Sequence, residues 1–276
     1  MKPLLRLATL PALCGLLFSS GCYQVPVTGR RALNIVSDAE MAKMSIAMFD
    51  DLKARSKLSR DKEKVEQLRR VGERLRAAIP IWDMPDADWE FVVFDDKGVN
   101  AFAMAGGKVG VLSGLFKIIS NDDQLASVLG HEIAHVTAKH VHESFSRALA
   151  LETVGMVGGI AAMGTGLSGY ATESLMSIYG LGANVGQFAF DRAKEKEADH
   201  IGMIYMARAG YNPEECAKVL EKLEELETAE QTAAKANWTS THPPNPERVA
   251  ALTAALPKAL REQEKARQVI TPTVIK

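Results

Sequence analysis

The stretch Leu129–His140, LGHEIAHVTAKH, sets the tightest condition on what this chain can fold into. Leu125, Val128, Leu129, Ile133 and Val136 recur at helical spacing, so the segment reads as a helix with a buried stripe, opened by a capping pattern at Ser120 to Asp123. A helix turns about 100° per residue, which puts His131 and His135 on nearly the same side, next to that stripe. Two imidazoles and the Glu132 carboxylate are thereby carried into the core, where polar groups without partners are costly. A shared metal ion is one way to satisfy them. A helix that carries these residues by coincidence is the plain alternative, and the rest of the chain has to decide.

Zinc suits imidazole and carboxylate ligands, and a catalytic zinc keeps one position for water. Glu132 would stand beside such an ion rather than on it, placed to accept the proton of an activated water, which is the chemistry of peptide hydrolysis. Two histidines need a third protein ligand, and the acidic stretch KEKEADHIG offers one. Glu195 and Asp199 are four apart and share a helix face. Glu195 could reach the ion while Asp199 accepts the free N–H of a ligand histidine. Glu197 is expected to point elsewhere, to solvent. A solvated charged face remains open as the other reading of this cluster. His140 and His142 lie at other helical angles and His200 adjoins Asp199; all three read as structural or exposed residues.

The chain of 276 residues is long enough for one principal domain with extensions, and 33 basic against 34 acidic residues give no pull toward nucleic acid. Residues 1–21 combine Lys2 and Arg6 with a short apolar run and a small-residue end, the pattern of an export signal. SSGC before Tyr23 resembles a bacterial lipoprotein processing site, although Ser19 stands where leucine is usual; a plain secretory signal is the other reading. Lipidation of Cys22 would make residues 22–36 an extended tether to a membrane. Cys14 falls in the signal and Cys22 would be modified, so Cys216 has no disulfide partner and reads as a small buried hydrophobe.

Helices are expected from Ser37 to about Ile79, then short strands in EFVVF, VNAFAMAGG and KVGVLSG just before the histidine helix. Residues 154–190 are rich in Gly, Ala and Met but interrupted by Glu173, and read as loosely packed helices or a flap. Gly210 ends the acidic helix, and Asn212–Pro213 and Asn245–Pro246 open the next two. The fold class is therefore mainly α, with a small β-sheet beside the histidine helix.

HEIAH, EKEAD and THPPNPERV in this order resemble the HtpX-like metallopeptidases related to prenyl-protein proteases, and among them the exported BepA- and LoiP-type members. The resemblance covers about Leu33 to Leu256 and implies a zincin-like α+β fold over residues 37–256, with 257–276 a charged tail. It implies one zinc per chain held by His131, His135 and Glu195 in gluzincin fashion, with Asp199 behind them and Glu132 as base. It implies that His242 either stabilises the oxyanion or caps the zinc as fourth ligand, and that Arg248 lines the site. Asn100, Ala101, Phe102 and Ala103 match the edge strand against which an extended substrate would pair. The implied function is a zinc endopeptidase acting on unfolded or misassembled envelope proteins. Its implied location is the periplasmic face of the outer membrane, with the assembly machinery there as a partner, or else the soluble periplasm. The alternative function is an assembly factor or chaperone that uses the zinc domain mainly for binding. No spanning helices are evident in the sequence, which sets the chain apart from the integral-membrane members.

Overall fold

The computed structural model of the chain describes residues 22–34, 36–84, 87–157, 175–179, 191–229, 241–243 and 245–270. The expected export signal, most of the segment 154–190 and residues 230–240 before His242 lie outside the described residues.

The chain opens with two short antiparallel strands, β1 (Cys22–Gln24) and β2 (Arg31–Leu33), with Cys22 opposite Leu33. The segment expected as an extended tether is thus a hairpin on the body of the protein, with Tyr23 Oη donating to the Thr137 carbonyl at 3.1 Å. Helix α1 (Asp38–Arg55) starts with a full capping box between Ser37 and Glu40, and α2 (Lys62–Ala78) is capped by Asp61. Strands β3 (Glu90–Phe94), β4 (Ala101–Met104) and β5 (Lys108–Leu112) form one sheet in the order β3-β5-β4, with β5 parallel to β3 and antiparallel to β4. Phe102 lies over Gly110, where a Cβ would stand 2.2 Å from its ring, and packs with Phe49 and Phe94 beneath the sheet.

Helix α3 (Asp122–Thr137) carries the histidine pair. Asn121 caps it, and Asp122 and Asp123 in the first turn suit the positive end of the helix dipole. Every residue from Gln124 to Thr137 is buried. The sequence suggested a single buried stripe; the helix is enclosed all round because β4, α2, and the later helices α5 (Arg192–Arg208) and α6 (Glu215–Ala229) all pack on it. The chain then turns at Lys139, whose φ of 61° is left-handed, and α4 (His140–Val157) begins at once. Helix α7 (Pro246–Ile270) packs on α5 and runs straight through the boundary expected at residue 257. Arg208 Nε donates to Glu262 Oε2 at 2.8 Å and Gln263 Nε2 to the Tyr211 carbonyl at 2.8 Å, so this part of the expected tail is docked.

The crossing of α3 and α5 is set by two glycines. A Cβ on Gly202 would lie 2.7 Å from both the Gly130 carbonyl carbon and the His131 nitrogen, and one on Gly130 would lie 2.9 Å from the Gly202 oxygen. Only bare backbone lets the two helices meet this closely, next to His131. Alanine normally stabilises a helix interior by up to about 1 kcal/mol relative to glycine. Here the clash is with backbone that cannot rotate away, so Gly202→Ala is expected to destabilise by about 1–3 kcal/mol, the usual cost of overpacking. Thermal melting of the variant checks the sign; a rise in melting temperature would show that the helices part freely.

Candidate metal centre

Glu195 and Asp199 lie on the first two turns of α5, whose start is fixed by Asp191 accepting from the nitrogens of Ala193 and Lys194. The close glycine crossing then brings these two carboxylates up to the histidines of α3. Thr241 and His242 arrive from the other side, just ahead of α7. One donor atom each from His131, His135, Glu195 and His242 falls within a cluster no wider than 4.8 Å, and all four residues are buried.

The distances inside the cluster are those of a ligand shell. His131 Nε2 is 3.0 Å from His135 Nε2 and 3.2 Å from His242 Nδ1. Glu195 Oε1 lies 3.3 Å from His135 Nε2 and 3.0 Å from His242 Nδ1, and Oε2 lies 3.5 Å from His131 Nε2. A tetrahedron with metal–ligand bonds of about 2.0–2.1 Å has edges of about 3.3–3.4 Å. Four electron-pair donors facing one another at this range would need protons shared between them, whereas one cation satisfies all four. The charges agree as well. With the imidazoles neutral, the carboxylates of Glu132, Glu195 and Asp199 against the Arg248 guanidinium leave two negative charges for a dication to cancel. The residues present fit zinc.

The groups behind the ligands hold their orientation. Asp199 Oδ1 is 2.9 Å from His131 Nδ1, and Arg248, fully buried, grips Asp199 through Nε and Nη2 at 2.8 Å each. Arg248 Nη1 also stands 2.8 Å from Glu195 Oε2. Burial pushes the Asp199 and Glu195 carboxyls up, but Arg248 on the first and His242 with the ligand histidines on the second outweigh it and hold both below the usual carboxylate range. Burial pulls His131 down, yet Asp199 and Glu195 raise it to about 9, while burial keeps His135 well below its ordinary value.

Glu132 is 4 % exposed, and its Oε1 is 3.5 Å from His242 Nε2, so His242 faces the ligand cluster with one nitrogen and the carboxylate with the other. The segment Asn100–Ala103 lies at and before β4, against α3. Asn100 is 2 % exposed, its Oδ1 accepts from the Ala101 nitrogen at 2.9 Å, and the side chains of Ala101, Phe102 and Ala103 are buried.

One sequence expectation is overturned. Glu197 does not face solvent: its carboxylate, 9 % exposed, accepts from Arg30 Nε at 2.6 Å and Thr28 Oγ1, and lies 3.0 Å from His140 Nε2. His140 itself is fully buried, with Nδ1 2.9 Å from His135 Nδ1. Its nearness to His135 was hidden because helical angles assume one continuous helix, whereas the chain reverses at Lys139. His142 is buried beside Asp38, and His200 lies at the surface 3.4 Å from Lys258 Nζ.

Comparison with known proteins agrees with this geometry. Residues 62–256 match peptidase family M48. The mitochondrial metalloendopeptidase OMA1 of Schizosaccharomyces pombe is 34 % identical over 195 residues, 70 % of this chain and 54 % of that protein. The beta-barrel assembly-enhancing protease of Escherichia coli (strain K12) is 31 % identical over 232 residues, 82 % of this chain and 46 % of that protein. The chain spans about half the length of these relatives. With a zinc-compatible cluster on a mainly helical fold and the family match covering most of its length, the chain belongs to peptidase family M48, the zinc-dependent metallopeptidases.

Proposed function

We propose that the protein is a zinc-dependent endopeptidase of the bacterial cell envelope, hydrolysing peptide bonds in misfolded or misassembled envelope and outer-membrane proteins. The observation that carries the chemistry is Glu132, buried on α3 between the two ligand histidines and at the edge of the cluster rather than in it. Bound zinc supplies a Lewis acid that acidifies water and polarises a carbonyl. Glu132 takes the proton of the attacking water and returns it to the leaving amine. An extended peptide pairs with the outer edge of β4, which has β5 as its only strand neighbour among the described residues.

The envelope setting is supported by the signal pattern in residues 1–21, by the lipoprotein-like SSGC, and by the printed name of the Escherichia coli relative. The mitochondrial relatives are as similar, so the setting rests on the signal and Cys22. No described helix is long and apolar enough to cross a membrane. Labelling cells with a fatty-acid analogue and fractionating the membranes tests the lipid anchor on Cys22; an unlabelled, freely soluble periplasmic protein would refute it. Digestion of casein or a misfolded porin tests the reaction. Cleavage should stop with a chelator and return with zinc, whereas a protein that protects the porin without cutting it is the assembly factor.

A specific observation bears on that second reading. His242 Nδ1 occupies the fourth corner of the cluster, the position a nucleophilic water needs. With zinc bound, His242 would hold that position in the resting enzyme and would have to withdraw before water could bind. His242→Ala is expected to raise casein hydrolysis several-fold with zinc retained. A fall would assign His242 to the transition state, and unchanged kinetics would remove it from the site.

A further inference from the structure

The two ligand histidines of α3 are oriented by different means. His131 meets a carboxylate directly, through Asp199. His135 meets another histidine. Because His135 Nε2 faces the cluster, its proton is on Nδ1 and donates to His140 Nδ1 at 2.9 Å. His140 then carries its own proton on Nε2, which donates to Glu197 Oε2 at 3.0 Å. The protons along this line run in one direction, from His135 through His140 to Glu197 Oε2. Glu197 is in turn held from outside the helical core: Arg30 Nε donates to Oε2 at 2.6 Å and Thr28 Oγ1 to Oε1. Arg30 also spans to Glu143 Oε1 at 2.7 Å on α4 and reaches the Ala138 carbonyl at 3.4 Å, beside the turn at Lys139 that brings His140 back toward His135. Thr28 and Arg30 belong to the β1–β2 hairpin, which lies before the residues that match the family.

We infer that Arg30 and Glu197 position the ligand His135 through His140, so that the amino-terminal hairpin is a working part of the metal centre rather than a spacer. A carboxylate at the far end of a ligand imidazole fixes ring and tautomer and raises its basicity, and loss of such a partner typically costs 10–100-fold in metal affinity. Here the carboxylate acts at one remove, through a second imidazole, and its position depends on a segment that sequence reading assigned to a membrane tether.

The inference rests on zinc occupying the cluster, so the test begins with wild-type chain, which should bind one zinc; if it binds none, both readings fall. The zinc dissociation constant is then measured by competition with a chelator for Glu197→Gln, Arg30→Gln and, as control, Lys196→Met on the same helix, whose ammonium pairs with Glu247. Glu197→Gln should keep stoichiometric zinc yet bind it about 10–100-fold more weakly. Arg30→Gln should weaken it in the same direction, and both should shift the visible absorption of the cobalt-substituted protein. Melting of the metal-free proteins separates lost orientation from lost folding. Arg30 is half-buried and more exposed than Glu197, so its variant decides the matter if Glu197→Gln does not fold. Affinities within twofold of wild type with superimposable cobalt spectra, or an equal loss in Lys196→Met, would overturn the positioning role.

Discussion

Glu132→Gln is expected to lower peptide-bond hydrolysis by about 10²–10⁴-fold, the usual contribution of a placed general base, while leaving the zinc in place. Glutamine has nearly the volume of glutamate, so the tight packing of α3 survives. It cannot take a proton from water at neutral pH. Glu132 contributes no atom to the four-residue cluster, so the metal keeps His131, His135 and Glu195. Hydrolysis of casein and metal content, measured on one preparation, check both halves. Equal hydrolysis by variant and wild type would sink the peptidase mechanism and leave the assembly-factor reading. Loss of zinc together with activity would instead make Glu132 a ligand.

The second large effect is on the metal itself. His131→Ala, His135→Ala and Glu195→Ala are each expected to reduce zinc from about one per chain to near none after gel filtration, because a catalytic site normally has only three protein ligands to lose. Glu195→Ala carries a second cost: the buried Arg248, 2.8 Å from Glu195 Oε2, loses one of its carboxylate partners, and a buried charge that loses a partner destabilises. His242→Ala should keep its zinc, with water filling the fourth corner. Glu197→Ala should also be stoichiometric at saturating zinc, since its carboxylate touches His140 rather than the cluster. Metal analysis of the purified variants decides this, and a zinc-free Glu197→Ala beside a zinc-loaded Glu195→Ala would overturn the assignment of ligands on α5.

The stability and metal effects are separable by experiment. Gly202→Ala acts through the helix crossing and should lower the melting temperature of metal-free and zinc-bound protein alike. His135→Ala should remove only the part of the stability that zinc binding adds, whereas Glu195→Ala should also lower the melting temperature of the metal-free protein through its lost pairing with Arg248.

What the sequence by itself determined is what short-range periodicity carries. Four-residue spacing places His131 and His135 on one side of α3 whatever surrounds the helix, and it pairs Glu195 with Asp199 on α5. The strands beside α3 were equally legible, because glycine turns and alternating apolar residues are local signals. The choice of Glu195 over Glu197 was weaker. From the residues alone a solvated face competed with it, and the resemblance to known metallopeptidases tipped the balance.

Only the tertiary structure decided which distant groups meet. Gly130 and Gly202 look like ordinary small residues in the sequence, yet their backbone contact lets Glu195 and Asp199 reach the histidines. His140 was set aside on helical angle, and that angle failed because Lys139 takes a left-handed conformation with no glycine or proline to announce it. Glu197 was given to solvent because a helix face has no visible partner until the chain supplies one, and the partner, Arg30, is 167 positions away. Periodicity tells which residues share a face. What covers that face depends on contacts between residues far apart in the chain, and for His135 those contacts form the chain of hydrogen bonds that orients a metal ligand.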